Sequence, residues 1–333
     1  MKPIINQHIF KSHVLRFGTL VSFILIFQTG CATIQQLSCL RHNIEPQKDY
    51  SKTLQPCFGK YPVTYQDKDI EVSRNVYCIG FDRSKPPVIL LHELPGLSAK
   101  TLEYAESLST DFTVYVPMLF GKHNQDSLLF GTSAFLFNGE WGWPLGGSDL
   151  DSNTPIVKWL RHVVSEIEKE HKEKSIGVIG NCLTGSLPLL LLANEHVRAI
   201  VLAQPTLPLR FVSYSDDDRR SLGISKSELS KAKKIVNDKN TKIYGVKFQN
   251  DCVSPPEKRD TLMAEFGDHY INAEILKSEY MTPEHCPTGD CGGAHSTLIA
   301  EWTPEDKDSP SERRRKEVRE YLKNPSTFTR GMP

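Results

Sequence analysis

The sequence has no net charge and no long apolar run. Its 333 residues carry 40 Lys and Arg against 40 Asp and Glu, so the formal net charge at pH 7 is +0. A balanced chain attracts neither nucleic acid nor an anionic surface at long range, and we expect no nucleic-acid partner. No repeat period and no long low-complexity tract is present, which argues against a solenoid or a disordered chain. The apolar fraction of 39% is ordinary for a folded globular protein.

The most apolar stretch lies near the N-terminus and is short. It runs from Phe17 to Phe27, about eleven residues, and follows three basic residues: Lys2, Lys11 and Arg16. A membrane-spanning helix needs roughly 20 residues, whereas this length is typical of a signal-peptide core. The next residues, Gln28-Thr29-Gly30-Cys31, resemble the lipobox of bacterial lipoproteins, although Gln28 replaces the usual aliphatic residue.

We therefore expect residues 1–31 to be a signal peptide, with Cys31 lipidated as the mature N-terminus. The protein would then be exported to the periplasm or cell envelope and associate with a membrane through its lipid. An ordinary cleaved signal and an uncleaved anchor are the alternatives. Export would also allow disulfides. Apart from Cys31 and the candidate nucleophile Cys182, the chain has six cysteines, whose pairing the sequence does not fix: Cys39, Cys57, Cys78, Cys252, Cys286 and Cys291.

The rest of the chain alternates short apolar runs with helical patterns. Runs bounded by turn formers predict buried strands at 88–91, 113–116, 176–179, 199–203 and 243–248. Apolar spacing and cap residues predict helices at 101–109, 154–171, 183–193 and from Ser309-Pro310. This alternation predicts an α/β fold with a doubly wound, mainly parallel sheet and helices on both faces.

Three parts of the chain follow from this pattern. Residues 32–60 read as a polar tether, and residues 61–325 as the folded domain. Within the domain, residues 118–153 break the alternation and are rich in Gly and aromatic side chains. Long irregular segments in compact domains are often functional, so this one is either a lid or pocket wall, or an insertion packed on the surface.

The sharpest local motif is Ile176-Gly177-Val178-Ile179-Gly180-Asn181-Cys182-Leu183-Thr184-Gly185. A predicted strand ends at Gly180 and a helix begins after Cys182. This is the pattern of a nucleophile elbow, a tight strand-to-helix turn that presents one side chain above the sheet. The positive end of the helix would favour a thiolate at Cys182. The alternative is a buried structural cysteine.

Four motifs in register resemble the dienelactone hydrolase family, over roughly residues 61–300. They are the cysteine elbow, His92-Glu93-Leu94-Pro95-Gly96, Gln249-Asn250-Asp251-Cys252-Val253-Ser254-Pro255, and Gly292-Gly293-Ala294-His295-Ser296. The resemblance implies an α/β-hydrolase fold and the chain order nucleophile, acid, histidine. It implies a hydrolase for esters, lactones or thioesters that acts through an acyl-enzyme, with a small-molecule substrate and no cofactor.

The resemblance also assigns roles. Cys182 would be the nucleophile, His295 its base and Asp251 the carboxylate that orients the histidine. The backbone N–H groups of Leu94 and Leu183 would form an oxyanion hole. In the family, the glutamate that matches Glu93 hydrogen-bonds the resting thiol and helps to activate it. The competitors are Glu257 and Asp260 for the acid, and His285 and His269 for the histidine.

Two departures bear on the substrate and the elbow. Thr184 stands where the family usually has glycine, which is delayed to Gly185. Ile299 stands where an arginine would clamp a substrate carboxylate. An uncharged substrate therefore fits better than dienelactone itself.

Two different readings of the chain remain. One is an inactive lipoprotein that uses the hydrolase fold for binding. The other is a zinc site at His285, Cys286, Cys291 and His295, although the spacing of the two cysteines is unusual for zinc. We expect no metal, and instead expect Cys286 and Cys291 to form a disulfide that braces the loop carrying His295, because Pro287 and Gly289 supply the turn that a short closure needs.

Overall fold

The computed structural model describes residues 50, 54–60, 62–123, 128–142, 149–209, 215–251, 253–280, 294–299 and 308–330. The expected signal peptide with Cys31, and the expected Cys286–Cys291 disulfide, lie outside these residues. Ten strands are described: β1 Gln55–Pro56, β2 Val63–Asp67, β3 Ile70–Arg74, β4 Val76–Ile79, β5 Pro87–Leu91, β6 Thr113–Pro117, β7 Ile176–Asn181, β8 Val197–Ala203, β9 Ile243–Val246 and β10 Tyr270–Asn272.

Nine α-helices occur in the same part of the chain. They are α1 Ala99–Leu108, α2 Leu128–Leu136, α3 Pro155–Glu170, α4 Leu187–Leu191, α5 Asp216–Arg220, α6 Lys226–Lys239, α7 Pro256–Phe266, α8 Lys277–Tyr280 and α9 Pro310–Lys323. The Ser309 hydroxyl accepts from the Glu312 N–H and caps α9, as the sequence predicts. The predicted helix 183–193 is wrong in its bounds, because a 3-10 turn at Cys182–Thr184 precedes a short α4.

Eight strands form one sheet in the order β1-β4-β6-β5-β7-β8-β9-β10. The pairs from β6 to β10 are parallel, whereas β1–β4 and β4–β6 are antiparallel. β2 and β3 form a separate antiparallel hairpin. The predicted mainly parallel sheet of an α/β fold is thus confirmed, with five predicted strands in place.

The central strands are buried on both faces. In β5, Leu91 belongs to one apolar cluster and Leu90 to the other, because successive side chains of a strand point to opposite faces. The same division separates Val178 and Ile179 in β7. This two-sided burial explains why these strands read as continuous apolar runs. Because β5, β7, β8 and β9 pair in parallel, their carboxyl ends lie at the same end of the sheet.

The folded domain begins before the predicted boundary. Gln55 and Pro56 pair with Cys78 and Tyr77 of β4, and Cys57 forms a disulfide with Cys78 at a Cα–Cα distance of 5.2 Å. The tether predicted for residues 32–60 is therefore wrong for residues 54–60. These residues were missed because a two-residue strand carries no readable periodicity.

The aromatic segment is partly core. Phe120, Phe135 and Trp141 are fully buried, and their ring centroids lie 5.0–5.9 Å apart with the planes tilted edge to face. Phe130 and Phe137 are exposed to 66% and 84%. Neither of the two readings for residues 118–153 holds alone, because the segment is anchored by one set of aromatic side chains and presents another to solvent.

Helix α2 of this segment packs directly on the loop after β5. A Cβ atom built at Gly131 would lie 1.9 Å from the Pro95 carbonyl oxygen, so only glycine permits this approach.

Within the described ranges, no helix is both long and apolar enough to span a bilayer.

We expect Gly131→Ala to lower stability by about 1–3 kcal/mol, because the methyl group must push α2 away from the backbone of Pro95. Gly139→Ala is the matched control, since a Cβ there meets no atom within 4 Å. Urea unfolding of both variants measures the effect. An equal stability of the two variants would contradict the packing described here, because alanine otherwise favours a helix over glycine.

Candidate active site

Cys182 sits in a sharp turn between β7 and α4. Its φ angle is +53°, in the left-handed region that residues with a side chain seldom adopt. Its carbonyl oxygen accepts from the N–H groups of Gly185 at 2.9 Å and Thr206 at 3.1 Å. The turn therefore has the geometry of a nucleophile elbow, and Cys182 is buried in it, with 2% of its surface exposed.

The departure at Thr184 has a structural explanation. The Thr184 hydroxyl oxygen accepts from the Asn181 N–H at 2.9 Å, so the side chain closes the turn. The Asn181 side-chain amide donates to the Leu91 carbonyl oxygen at 3.0 Å and ties the elbow to the end of β5. The close approach moves to Gly185, where a Cβ would lie 2.9 Å from the Ala203 carbonyl oxygen.

His295 and Asp251 form a buried pair. The Nδ1 atom of His295 lies 2.9 and 2.8 Å from the two carboxylate oxygens of Asp251. Asp251 Oδ1 also accepts from the N–H groups of Val253 and Ser254, each at 2.9 Å. Because Nδ1 faces a carboxylate, it carries a proton, and Nε2 is the ring atom left to exchange a proton with another group.

The environment of His295 favours its charged form. Burial alone would lower its pKa, but the negative charges of Asp251 and Cys182, and the hydrogen bond to Asp251, raise the pKa well above its usual value of 6.5. The structure therefore places Cys182, His295 and Asp251 in one buried cluster. Lys247 is a further buried basic residue that interacts with Asp251. Burial lowers its pKa, and the charges of Asp251 and Glu274 partly oppose this shift.

Glu93 lies in the same buried cluster, and its described hydrogen bonds are with Gln204 and Ser296. One carboxylate oxygen accepts from the Gln204 side-chain amide at 3.2 Å. The other accepts from the Ser296 hydroxyl, next to the histidine. The Gln204 side-chain oxygen in turn accepts from the Thr297 hydroxyl. Glu93 thus links the loops that follow β5 and β8 to the histidine loop.

His92 fixes the loop that precedes Leu94. Its Nε2 atom accepts from the Leu119 N–H at 2.9 Å, so the neutral ring carries its proton on Nδ1, which donates to the Glu93 carbonyl oxygen at 3.2 Å. Burial lowers the pKa of His92 to about 4. The ring also packs edge to face on Phe120, at 4.6 Å between centroids.

Both predicted oxyanion donors lie beside the elbow loops. Among the hydrogen bonds of the described residues, the N–H groups of Leu94 and Leu183 donate to no acceptor. Both residues are buried. Such donors are available to a substrate oxygen, as an oxyanion hole requires.

The competing residues that the structure describes are engaged elsewhere. Glu257 accepts from Arg219 at 2.9 and 3.0 Å, and Asp260 is paired with Arg259. His269 is near the Thr241 carbonyl oxygen at 3.2 Å. His285, Cys286 and Cys291 lie outside the described residues, and the described part of the chain contains no cluster of three or more potential metal ligands.

One described cavity lies away from these residues. It has a volume of about 670 Å³ at the β1–β4 edge of the sheet, and Tyr50, Phe58, Phe81 and Arg83 are among its lining residues. It contains none of the candidate catalytic residues. We place the candidate site at Cys182 because the side chains of His295, Asp251 and Glu93 lie together there.

Two polar residues of the site were missed in the sequence, Gln204 and Thr206. Both follow the end of β8, and the carboxyl ends of parallel strands are where ligands bind in such sheets. That rule is the one signal that could have indicated them.

The pH dependence of stability tests the position of His92. The folded protein keeps this side chain neutral down to pH about 4, whereas the unfolded chain protonates it below about 6.5, so stability is lost as the pH falls through this window. Between pH 7 and pH 4.5 we expect wild type to lose about 2 kcal/mol more than His92→Gln, whose amide can still accept from Leu119. Urea unfolding at both pH values measures the difference, and equal losses would contradict the burial of His92.

No protein-family model and no curated protein matches the chain. Among solved structures it is similar to a dienelactone hydrolase-like promiscuous phosphotriesterase from metagenomic libraries, with 14% identity over 79% of this chain and 97% of that one and a TM-score of 0.49. It is also similar to Est1E from Butyrivibrio proteoclasticus, with 11% identity, coverage of 81% and 100%, and a TM-score of 0.47. An esterase from Pyrococcus furiosus gives 12% identity, coverage of 86% and 98%, and a TM-score of 0.45. The chemistry of this chain must therefore be argued from its own residues.

Proposed function

We propose that the protein is a hydrolase that cleaves an ester, lactone or thioester bond through a Cys182–His295–Asp251 triad. The observation that carries this proposal is the buried hydrogen bond between His295 and Asp251, in an environment where the charge of Cys182 also raises the pKa of the imidazole, beside an elbow whose φ is +53°. A left-handed backbone conformation at a residue with a side chain costs free energy and is often found at functional sites. Here it presents a thiol beside a histidine, the arrangement that activates a cysteine nucleophile.

The reaction would proceed in two steps. The Cys182 sulfur attacks the substrate carbonyl carbon while His295 holds the thiol proton, and the resulting oxyanion accepts from the N–H groups of Leu94 and Leu183. The carbon–oxygen bond to the leaving group then breaks, and His295 gives its proton to the departing alcohol. Water next attacks the acyl-cysteine with His295 as base, which releases the carboxylic acid and restores the thiol. Asp251 stabilises the charged imidazole throughout.

We assign Glu93 a positioning role in this scheme. Its carboxylate accepts from Ser296, the neighbour of His295, and from Gln204. Activation of the resting thiol by Glu93, which the family resemblance implies, stays a prediction.

Substitution of the triad tests the proposal directly. We expect Cys182→Ala and His295→Ala to lower kcat/KM for a neutral p-nitrophenyl ester by at least about 10³-fold, because the nucleophile or its base is lost. His269→Ala is the matched control for the histidine and should stay within about twofold of wild type. Circular dichroism checks that each variant is folded.

Wild-type-like turnover by Cys182→Ala would reject the triad. No turnover by the wild type itself, across esters and lactones of varied acyl size, would favour the inactive binding protein instead.

The charge of the substrate provides a second test. Where the family resemblance expects an arginine that pairs a substrate carboxylate, this chain has Ile299, buried in the apolar core. Phe130 and Phe137 are exposed apolar side chains. An unpaired carboxylate is costly to desolvate. For a carboxylated lactone and its methyl ester, which share the scissile bond, we expect the methyl ester to have at least a tenfold higher kcat/KM. Faster hydrolysis of the free carboxylate would contradict this preference.

A further inference from the structure

The Thr206 side chain touches the candidate nucleophile. Its hydroxyl oxygen lies 3.4 Å from the Cys182 sulfur, within hydrogen-bond distance for that atom, and 3.2 Å from the Gln204 carbonyl oxygen. The Thr206 N–H donates to the Cys182 carbonyl oxygen at 3.1 Å. Thr206 is buried, with 2% of its surface exposed. The Thr206 backbone therefore stabilises the elbow, and its hydroxyl group contacts the Cys182 sulfur.

A threonine hydroxyl has one hydrogen to donate, and here it has two acceptors within reach. A hydrogen bond to a charged acceptor is about twice as strong as one to a neutral acceptor. The hydroxyl should donate to the sulfur when the sulfur is a thiolate. When the sulfur is a neutral thiol or a thioester, the Gln204 carbonyl oxygen is the better acceptor.

We propose that Thr206 is a catalytic residue that donates a hydrogen bond to the Cys182 thiolate and so sets the fraction of the nucleophile that is charged. This inference rests on the proposed function, in which the thiolate attacks the substrate. It gives the sulfur a donor distinct from His295.

The two donors differ in what they can do next. His295 must deliver a proton to the leaving group, and its proton is then absent from the site. The Thr206 hydroxyl does not ionise in this pH range, so its donation persists whatever the protonation state of the histidine. Thr206 would thus stabilise the thiolate both in the resting enzyme and when the acyl-cysteine breaks down and the sulfur leaves.

Other charged groups packed around the sulfur influence the same equilibrium. His295 faces the sulfur from its loop and Asp251 lies behind the histidine, so this pair favours the thiolate. The Glu93 carboxylate, in the loop after β5, disfavours a further negative charge nearby. His92 in the same loop is neutral above pH about 4. None of these groups changes when the Thr206 hydroxyl is removed.

The test is the pH dependence of Cys182 alkylation by iodoacetamide, followed by mass spectrometry of the peptide that contains Cys182. Thr206→Val keeps the shape of the side chain and loses the hydroxyl, so we expect the midpoint of the alkylation rate to rise by about one pH unit. Thr206→Ser keeps the hydroxyl and should stay within about 0.3 unit of wild type. Thr113→Val is the matched control, since it removes a buried hydroxyl that bonds Asp82 at the opposite end of the sheet.

Activity gives a second readout. At pH 7 we expect kcat/KM of Thr206→Val to fall about tenfold and to recover as the pH is raised, because more thiolate then forms. A purely structural role of Thr206 would instead lower activity equally at all pH values. Thr206→Ala is the second variant should the valine variant not fold, with the same expected rise.

An alkylation midpoint that stays at the wild-type value in either folded variant overturns the proposal. The alkylation assay needs no substrate, so it separates the two ideas. A protein that hydrolyses nothing, yet shows the midpoint shift, would reject the proposed function and retain the contact between Thr206 and the thiolate.

Discussion

Cys182 has to hold a left-handed backbone conformation at a point where three loops of the sheet edge meet. A non-glycine residue in this region costs of the order of 1–3 kcal/mol and persists only where its surroundings fix it. Here the surroundings are the Asn181 bond to Leu91 at the end of β5, and the bonds from Gly185 and Thr206 to the Cys182 carbonyl oxygen. Two of these partners, Leu91 and Thr206, lie at the end of β5 and in the loop after β8, so the conformation of the elbow depends on the pairing of β7 with both neighbouring strands. The geometry of the site therefore depends on the pairing of the central strands.

The sequence was most informative where burial is two-sided. Strands β5 and β7 were predicted because both faces are covered and the run of apolar residues is unbroken. Helix α6 gave no such signal, since only three of its fourteen residues are buried: Glu228, Ala232 and Val236. Strand β1 was missed because two residues have no period. The candidates Cys182, Asp251 and His295 came from four motifs that resemble one family, in the chain order nucleophile, acid, histidine. The contacts of Gln204 and Thr206 are made by single polar side chains in a loop, and such residues leave no pattern to read.

The two buried carboxylates of the site, Glu93 and Asp251, need hydrogen-bond donors to offset their negative charge. A buried carboxylate is stable only with donors around it. Glu93 has Ser296 and Gln204, whereas Asp251 has the histidine and two backbone N–H groups. Two carboxylates of one cluster are thus satisfied by separate donor sets. A thiolate at Cys182 would be stabilised by His295 and by the Thr206 hydroxyl.

The histidine loop shows how this polar network also serves as scaffold. Residues 294–299 form no regular secondary structure, yet three successive residues after His295 are each fixed to a different element. Ser296 donates to Glu93 in the loop after β5, and Thr297 donates to Gln204 after β8. The Leu298 carbonyl oxygen accepts from the Nε atom of Arg315 in α9 at 2.7 Å, and the same guanidinium lies 4.2 Å from the ring centroid of Tyr104 in α1. Misplacement of a catalytic group by about 1 Å can cost on the order of 10²-fold in rate. Because each anchor comes from a separate part of the fold, the position of the imidazole is set by the whole domain, and the expected Cys286–Cys291 disulfide would add to this bracing without being needed to explain it.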